Sequence, residues 1–158
     1  EVGADRIANA VAAEKLYGAP SIVVDFGTAT NIDVVDSDGY YIGGAIAPGL
    51  RISMDALVAR AARIASIPLE TPPHAIGRTT EEAVQSGAVL GTAAMVEGLV
   101  SRIRAELGVP AARVIATGGL ANIVADSTNV FDVVDGQLTL KGICEIARRM
   151  RDRVPHTA

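Results

Sequence analysis

Residues Ser21 to Val35 read SIVVDFGTATNIDVV: an apolar strand closed by an Asp, a glycine turn rich in hydroxyls, then a second apolar strand. Such a turn is expected to gather the Gly27 N–H, its backbone neighbours and the Thr28 and Thr30 hydroxyls into a concavity that suits a phosphate. Gly27 fits because glycine tolerates φ > 0 and allows close approach. Asp25 is the anomaly, since a carboxylate ending a run of Ile and Val is costly to bury alone, and a cation is its expected partner. The plainer alternative is a decorated hairpin with Asp25 as a turn acceptor.

Outward from this stretch the pattern alternates between strands and helices. Asp5 to Tyr17 carries Ile7, Val11 and Leu16 at near-helical spacing and stops at Gly18 and Pro20,. Asp36-Ser-Asp-Gly39 predicts a turn and Tyr40 to Ile46 a third strand, so the strands form a meander closed by Pro48-Gly49,. Leu50 to Ile64 returns to the helical period. Ser66 to Gly77, with Pro68, Pro72 and Pro73, reads as an extended loop,. Thr79 with Glu82 matches a capping box, which opens a long helix to Leu107 and leaves the Thr80 hydroxyl free,. Gly87, Gly91, Ala94 and Gly98 draw a stripe of small residues along it, expected to serve close helix packing,. Arg113 to Thr117 reads as a strand ending at Gly118-Gly119, with a short helix from Leu120 and a possible strand at Phe131 to Val134. A last helix from Lys141 to Arg153 is amphipathic through Ile143, Ile146 and Met150,.

The chain has 158 residues, enough for one domain with a real core, and is 49% hydrophobic but only 3% aromatic,. An aliphatic, alanine-rich core of that kind suits α/β layers. A net charge of −4 argues against a nucleic-acid or anionic-membrane partner,. The basic residues Arg148, Arg149, Arg151 and Arg153 read as a solvated last turn that complements the helix dipole,. Cys144 is alone, so no intramolecular disulfide is expected and a reducing cytoplasm is the default,. No Cys/His cluster suggests zinc, and His74 and His156 read as loop and tail residues,. No apolar run is expected to reach the roughly 18 to 20 residues of a membrane span. No signal-peptide pattern is seen, and the chain opens with Glu1, so a longer parent chain is expected,.

Besides the Asp25 turn, three places combine polar groups with glycine. Gly3-Ala-Asp-Arg6 sets an acid beside a base at a helix start, most simply a surface ion pair,. Gly43 to Gly49 leads a strand into a helix whose N-terminus could face an anion,. Ala116-Thr-Gly-Gly119 is a strand-to-helix junction, where ligands tend to collect in open α/β sheets,.

Together and in order, GADR at 3–6, DFGTATN at 25–31, GGAIAPGL at 43–50, TTEEAVQSG at 79–87, ATGGLA at 116–121 and LTLKGI at 138–143 resemble the type III pantothenate kinases. That family belongs to the acetate-kinase, sugar-kinase, Hsp70 and actin superfamily. The resemblance implies a ribonuclease H-like lobe, a mixed sheet flanked by helices, in an enzyme phosphorylating pantothenate to 4′-phosphopantothenate at the start of coenzyme A biosynthesis. It implies Asp5 as general base, with Gly3, Ala4, Asp5, Arg6 and Thr80 binding pantothenate. Asp25 would ligate a monovalent cation, K⁺ or NH₄⁺, while Gly27 and Thr28 hold an ATP phosphate and Thr117, Gly118 and Gly119 face the adenosine side. Mg²⁺, a homodimer and a cytoplasmic setting complete what is implied.

The family also carries an Asp-x-Gly-Asn-Thr strand, which helps hold Mg²⁺, and nothing like it precedes Glu1. The expected division is therefore 1–18 as the trailing helix of a first lobe and 19–158 as the second lobe, inactive until an amino-terminal lobe joins it. Asn31 stands where many relatives carry Thr, which keeps a hydrogen-bonding side chain there. Two rivals remain: a kinase of another small hydroxy acid or sugar, and a non-catalytic paralogue acting as a regulatory or assembly subunit. GADR and Thr80 argue against the first. Intact Asp5, Asp25 and Thr28 argue against the second.

Overall fold

In the computed structural model, which describes residues 2–60 and 67–153, the apolar strands pair much as their turns dictate. Strands β1 (Ser21–Phe26), β2 (Ala29–Val35) and β3 (Tyr41–Pro48) form an antiparallel meander. At the second turn the Asp36 carboxylate accepts the N–H groups of Asp38 and Tyr40 at 3.0 and 2.9 Å, the local pairing that suits Asp to turns. Strand β4 (Arg113–Thr117) then returns parallel to β1, with the two-residue β5 (Val133–Val134) parallel to β4. The order is β3-β2-β1-β4-β5, a mixed sheet with β1 at its centre.

Helices cover both faces. Alternation along β1 sends Ile22, Val24 and Phe26 into one core with Ile32, Val114 and Ala116, covered by Val89, Ala93, Val96 and Val100. Those four sit on one continuous 28-residue helix, Thr80–Leu107, made of α3 (Thr80–Gln85), a π turn (Ser86–Leu90) and α4 (Gly91–Leu107). Helices α2 (Leu50–Arg60) and α5 (Ala121–Ala125) complete that layer through Leu50, Ala121 and Val124. On the other face Val23 and Ile115 meet Ala12 and Ala13 of α1 (Ala4–Tyr17) and Leu138 of α6 (Leu138–Arg153).

The buried faces of α1 and α6 differ from those their apolar spacing suggests. Ala8, Asn9, Ala12 and Ala13 are buried on α1, while Ile7 and Leu16 are 45% and 49% exposed. On α6, Leu138 and Gly142 face inward, and Ile143 and Met150 are exposed together with Leu140. The reason is proximity: at Gly142 a Cβ would collide with the Ala8 carbonyl, so the helices cross where only small residues fit,. Two of the terminal arginines are drawn into this contact or along its helix. Arg149 reaches Glu14 of α1 at 3.0 Å, and Arg148 pairs with Glu145 and Asp152.

The long helix starts as its sequence predicts and continues differently. Thr79 accepts the Glu82 N–H at 3.1 Å, while the Glu82 carboxylate reaches back to the Arg78 N–H at 2.7 Å, one residue beyond the usual box,. Gly108, at φ 66°, closes it. The π turn was not foreseen. Nor does the small-residue stripe pack against the described residues: Gly87, Gly91, Ala94 and Gly98 are exposed, and no described residue lies near the space a Cβ would take at the three glycines. Contrary to the reading of the apolar runs, Thr80–Leu107 is long and apolar enough to cross a membrane by length and composition, though one side of it is built into the core described above. The expected continuation of α2 to Ile64 lies outside the described residues, as does His156.

Asp135 ties α1, β5 and α6 together. Its carboxylate accepts the Tyr17 hydroxyl and the Lys141 ammonium, both at 2.7 Å, and the Gln137 N–H at 3.1 Å. Burial opposes its charge, but Lys141, Tyr17 and Gln137 outweigh burial and hold the carboxyl below its ordinary 3.8. Its contribution is therefore complete above pH 3.8 and is lost as pH falls through the lowered value,. Asp135→Asn is expected to cost about 1.5–3 kcal/mol at neutral pH, the range for hydrogen bonds to a charged group. In denaturant titrations that difference should shrink once the pH drops below 3.8.

Candidate functional site

Register, more than sequence proximity, assembles the polar groups. Asp25 pairs with Asn31 across the hairpin and with Thr117 across the parallel ladder, and Val23 pairs with Asp33. Partners in register share a face, so Asp25, Asn31, Asp33 and Thr117 all lie on the side covered by α1 and α6. Asp25 and Thr117 sit at the carboxyl ends of β1 and β4, where ligands collect in open α/β sheets,.

Asp25 is half-buried and only half-satisfied. Its Oδ2 accepts the Asn9 side-chain N–H at 2.9 Å, and the Thr139 hydroxyl donates to Asn9 Oδ1 at 2.7 Å. Oδ1, without a hydrogen-bond partner among the described residues, lies against Gly118, where a Cβ would collide with it and with the Phe26 backbone. Gly118, at φ 93°, combines that close approach with a backbone conformation that L side chains rarely adopt,. Burial raises the Asp25 carboxyl above its ordinary range; Asn9 works the other way, and the charges of Asp5 and Asp33 add to the rise. A half-buried carboxylate with one bare oxygen facing backbone suits a cation held mainly by oxygen. Among the described residues no cluster of three or more His, Cys, Asp or Glu side chains could hold a metal ion, so any ion here would lean on backbone, water or ligand oxygens.

Asp5 and Arg6 do not form the surface pair their adjacency suggests. Asp5 is exposed in the first turn of α1, and its Oδ1 accepts the Arg6 backbone N–H at 2.9 Å, leaning over Gly3. Arg6 instead reaches 27 residues along the chain to Asp33, with Nε at 2.8 Å and a terminal nitrogen at 2.6 Å from Oδ1. The Tyr41 hydroxyl donates to the same oxygen at 2.9 Å, and the guanidinium carbon lies 5.9 Å from the centre of the Tyr41 ring. The Asp33 side chain is fully buried, and its Oδ2 has no partner among the described residues. Removing Arg6 would leave that carboxylate uncompensated. Ala4 opens α1 beside these groups.

The turn itself corrects one expectation. The Gly27 N–H is spent on the Ala29 carbonyl at 3.0 Å, and Gly27 does not use positive φ. The exposed Thr28 hydroxyl remains, while Thr30 is buried with its hydroxyl unpartnered among the described residues. Gly49, at the start of α2, packs so closely on the Thr28 carbonyl that a Cβ would overlap it, which brings that helix N-terminus against the turn. Thr117 is buried, Gly119 is exposed, and the Leu120 N–H donates to Phe26 at 3.3 Å, locking this second turn to β1. Thr80 is exposed at the first position of α3, and Thr79 supplies the cap as expected. It lines a recess of about 450 Å³ with Ser53, Met54 and Leu57 of α2, so this single chain groups it with α2.

Four residues of the site escaped the sequence reading: Asn9, Asp33, Tyr41 and Thr139. Asp33 carried the signal that flagged Asp25, a carboxylate inside an apolar strand. Asn9, one turn beyond Asp5 on an alanine face, was the other available sign.

Residues 1–102 match the family model described as type III pantothenate kinase. The type III pantothenate kinase of Thermomicrobium roseum is 57% identical over 150 residues, which cover 95% of this chain and 58% of that protein. That of a Parafrankia species is 54% identical over 143 residues, covering 90% and 56%. The chain thus spans little more than half the length of these curated relatives. Among solved structures, a Campylobacter jejuni protein described as a conserved Baf family transcriptional activator superposes with TM-score 0.66 at 22% identity, over 96% of this chain and 66% of that one. The activator of the 2-hydroxyisocaproyl-CoA dehydratase of Clostridium difficile, with bound ADPNP, does so at 0.50 and 12%, over 98% and 70%. At these identities the likeness is one of fold: a mixed sheet flanked by helices on both faces.

The raised carboxyl of Asp25 has a consequence for stability. A carboxyl raised by folding binds its proton more tightly in the native state, so the cost of its charge grows as pH climbs through the raised value,. Asp25→Asn is expected to melt at a higher temperature than the parent at neutral pH without nucleotide or K⁺. Thermal scans across the acid range should show that advantage fade as pH falls through the raised value and vanish below the ordinary 3.8,. An Asp25→Asn protein melting lower at every pH would contradict this account.

Proposed function

Since the chain belongs to the type III pantothenate kinase family, we propose that the complete protein transfers the γ-phosphoryl group of ATP to the primary hydroxyl of pantothenate, opening coenzyme A biosynthesis. The observation that carries this is an exposed, oriented Asp5 on the helix whose Asn9 holds the half-satisfied Asp25, both inside the matched region. Asp5 accepts the hydroxyl proton as the substrate oxygen forms a bond to the γ-phosphorus. The bond from that phosphorus to the β–γ bridging oxygen breaks, and ADP leaves with the electron pair. Phosphoryl transfer asks mainly for positioning and charge neutralisation.

Each group has a part in this reading. Gly3, Ala4 and Arg6 face pantothenate, with Arg6 held in direction by Asp33 and Tyr41. Thr28 takes an ATP phosphate through its exposed hydroxyl; Gly27, its N–H already engaged, contributes only closeness. Thr117, Gly118 and Gly119 border the nucleotide. Asp25 would hold K⁺ or NH₄⁺ through Oδ1, an ion that offsets phosphate charge when bound, and Mg²⁺ would accompany ATP. A homodimer belongs to the same reading, supported by the exposed stripe of Gly87, Gly91, Ala94 and Gly98 on the helix that begins at Thr80. Thr80, grouped with α2 in one chain, would then serve pantothenate from the pairing surface. A cytoplasmic setting and a facing amino-terminal lobe are part of the proposal too. In it α1 enters from that lobe, although it packs on this sheet.

In the complete protein, Asp5→Asn is expected to lower kcat by about 10²- to 10⁴-fold, the usual weight of general-base help, with ATP affinity kept. An ADP-release assay alongside nucleotide binding separates the two, and undiminished turnover removes Asp5 from the role. Turnover should also rise when K⁺ replaces Na⁺, and Asp25→Ala should erase that response. Equal rates in both salts would leave Asp25 without its ion.

A further inference from the structure

The LTLKGI segment, Leu138 to Ile143, is accounted for by no step above, yet each of four side chains or gaps in it has a definite partner. Leu138 is in the core, Lys141 holds Asp135, Gly142 admits the Ala8 backbone, and Thr139 donates to Asn9. The last contact leads to the site.

Donor and acceptor chemistry sets the direction of the chain Thr139, Asn9, Asp25. An ionised carboxylate only accepts, so the Asn9 end that faces Asp25 Oδ2 has to be its NH₂ group,. Asn9 then turns its carbonyl oxygen the other way, and that oxygen needs a donor because Asn9 is 0% exposed,. The Thr139 hydroxyl supplies it at 2.7 Å. Gly142, one turn further along α6, lets the helices approach closely enough for that reach. Oδ2 is thereby pinned, and Oδ1 is the oxygen left over Gly118.

We infer that Asn9 and Thr139 are positioning residues for the monovalent cation: they fix the rotation of the Asp25 carboxylate so that Oδ1 is presented to the ion. The inference rests on the reading of Asp25 as the cation ligand. Without the Thr139 hydroxyl, the buried Asn9 carbonyl is orphaned, the amide loses its fixed orientation, and the carboxylate is free to turn. The effect is on how tightly the ion binds.

The test is thermal unfolding of the complete protein with a non-hydrolysable ATP analogue, as a function of K⁺ at constant ionic strength. An ion that binds only the native state raises the melting temperature by mass action, so the curve gives a K⁺ midpoint without turnover. Thr139→Val is expected to move that midpoint about three- to tenfold upward, in keeping with one lost hydrogen bond to a buried group, and Thr139→Ser to restore it. Should Thr139→Val not fold, Thr139→Ala, which removes the same donor with less bulk, is read the same way. A lower melting temperature with an unmoved K⁺ midpoint means a merely structural contact and overturns the inference. A parent protein indifferent to K⁺ overturns the cation reading and this inference with it; a K⁺-responsive parent whose Thr139 variants keep the same midpoint overturns this inference alone and leaves the cation reading standing.

Discussion

The crossing of α1 over α6 at Ala8 and Gly142 is the contact on which the rest depends. Because no side chain stands between the backbones there, Thr139 can reach Asn9, Arg149 can reach Glu14, and Leu138 can fill the space beneath Ala12 and Ala13. The alanines of α1 are thus more than weak hydrophobes. They set the thickness of one layer, and the polar groups at its edge inherit that spacing. Interiors at close-packed density transmit even a methylene of change, so this crossing leaves little slack for the site above it.

Three carboxylates stand on α1 or on the sheet face it covers, and each is treated differently. Asp33 is buried outright and answered by Arg6 and Tyr41. Asp25 is half-buried and answered by a neutral amide on one oxygen only. Asp5 is exposed and tied to the first turn of its own helix. Burial and compensation therefore fall together from Asp33 through Asp25 to Asp5, which sits in the first turn of α1, where the helix dipole favours negative charge,. Such an arrangement suits chemistry that brings a polyanion and cations together, since the fixed charges are already oriented before a ligand arrives. It also stores cost at Asp25, in line with the common opposition of stability and function.

Much of the local structure could be read directly from residue types. The meander, the Asp36 turn and the Thr79 cap each rest on contacts between near neighbours, which sequence spacing exposes. The family could be read too, because several short motifs recur in order. What stayed hidden is non-local or low in contrast. The parallel pairing of β1 with β4, which sets Gly118 against Asp25, is a matter of topology. Arg6 found its partner 27 residues away and ignored the acid beside it. On α1 and α6 the buried faces are made mostly of Ala, Asn and Gly, with Leu138 at the start of α6, so apolar spacing pointed to the exposed sides. Gly27 misled in the opposite sense: a glycine in a turn suggested a free donor, and the hairpin had already used it.

The π turn at Ser86–Leu90 carries a meaning for direction. A helix turns by about 100° per residue, and a π turn absorbs one residue beyond the regular count. Everything ahead of it, Thr80 included, is thus rotated out of phase with the face of α4 that lies on the sheet. The two ends of one rod are aimed independently, like a vernier with a single step. The buried end answers to the core, and the leading end is free to point elsewhere.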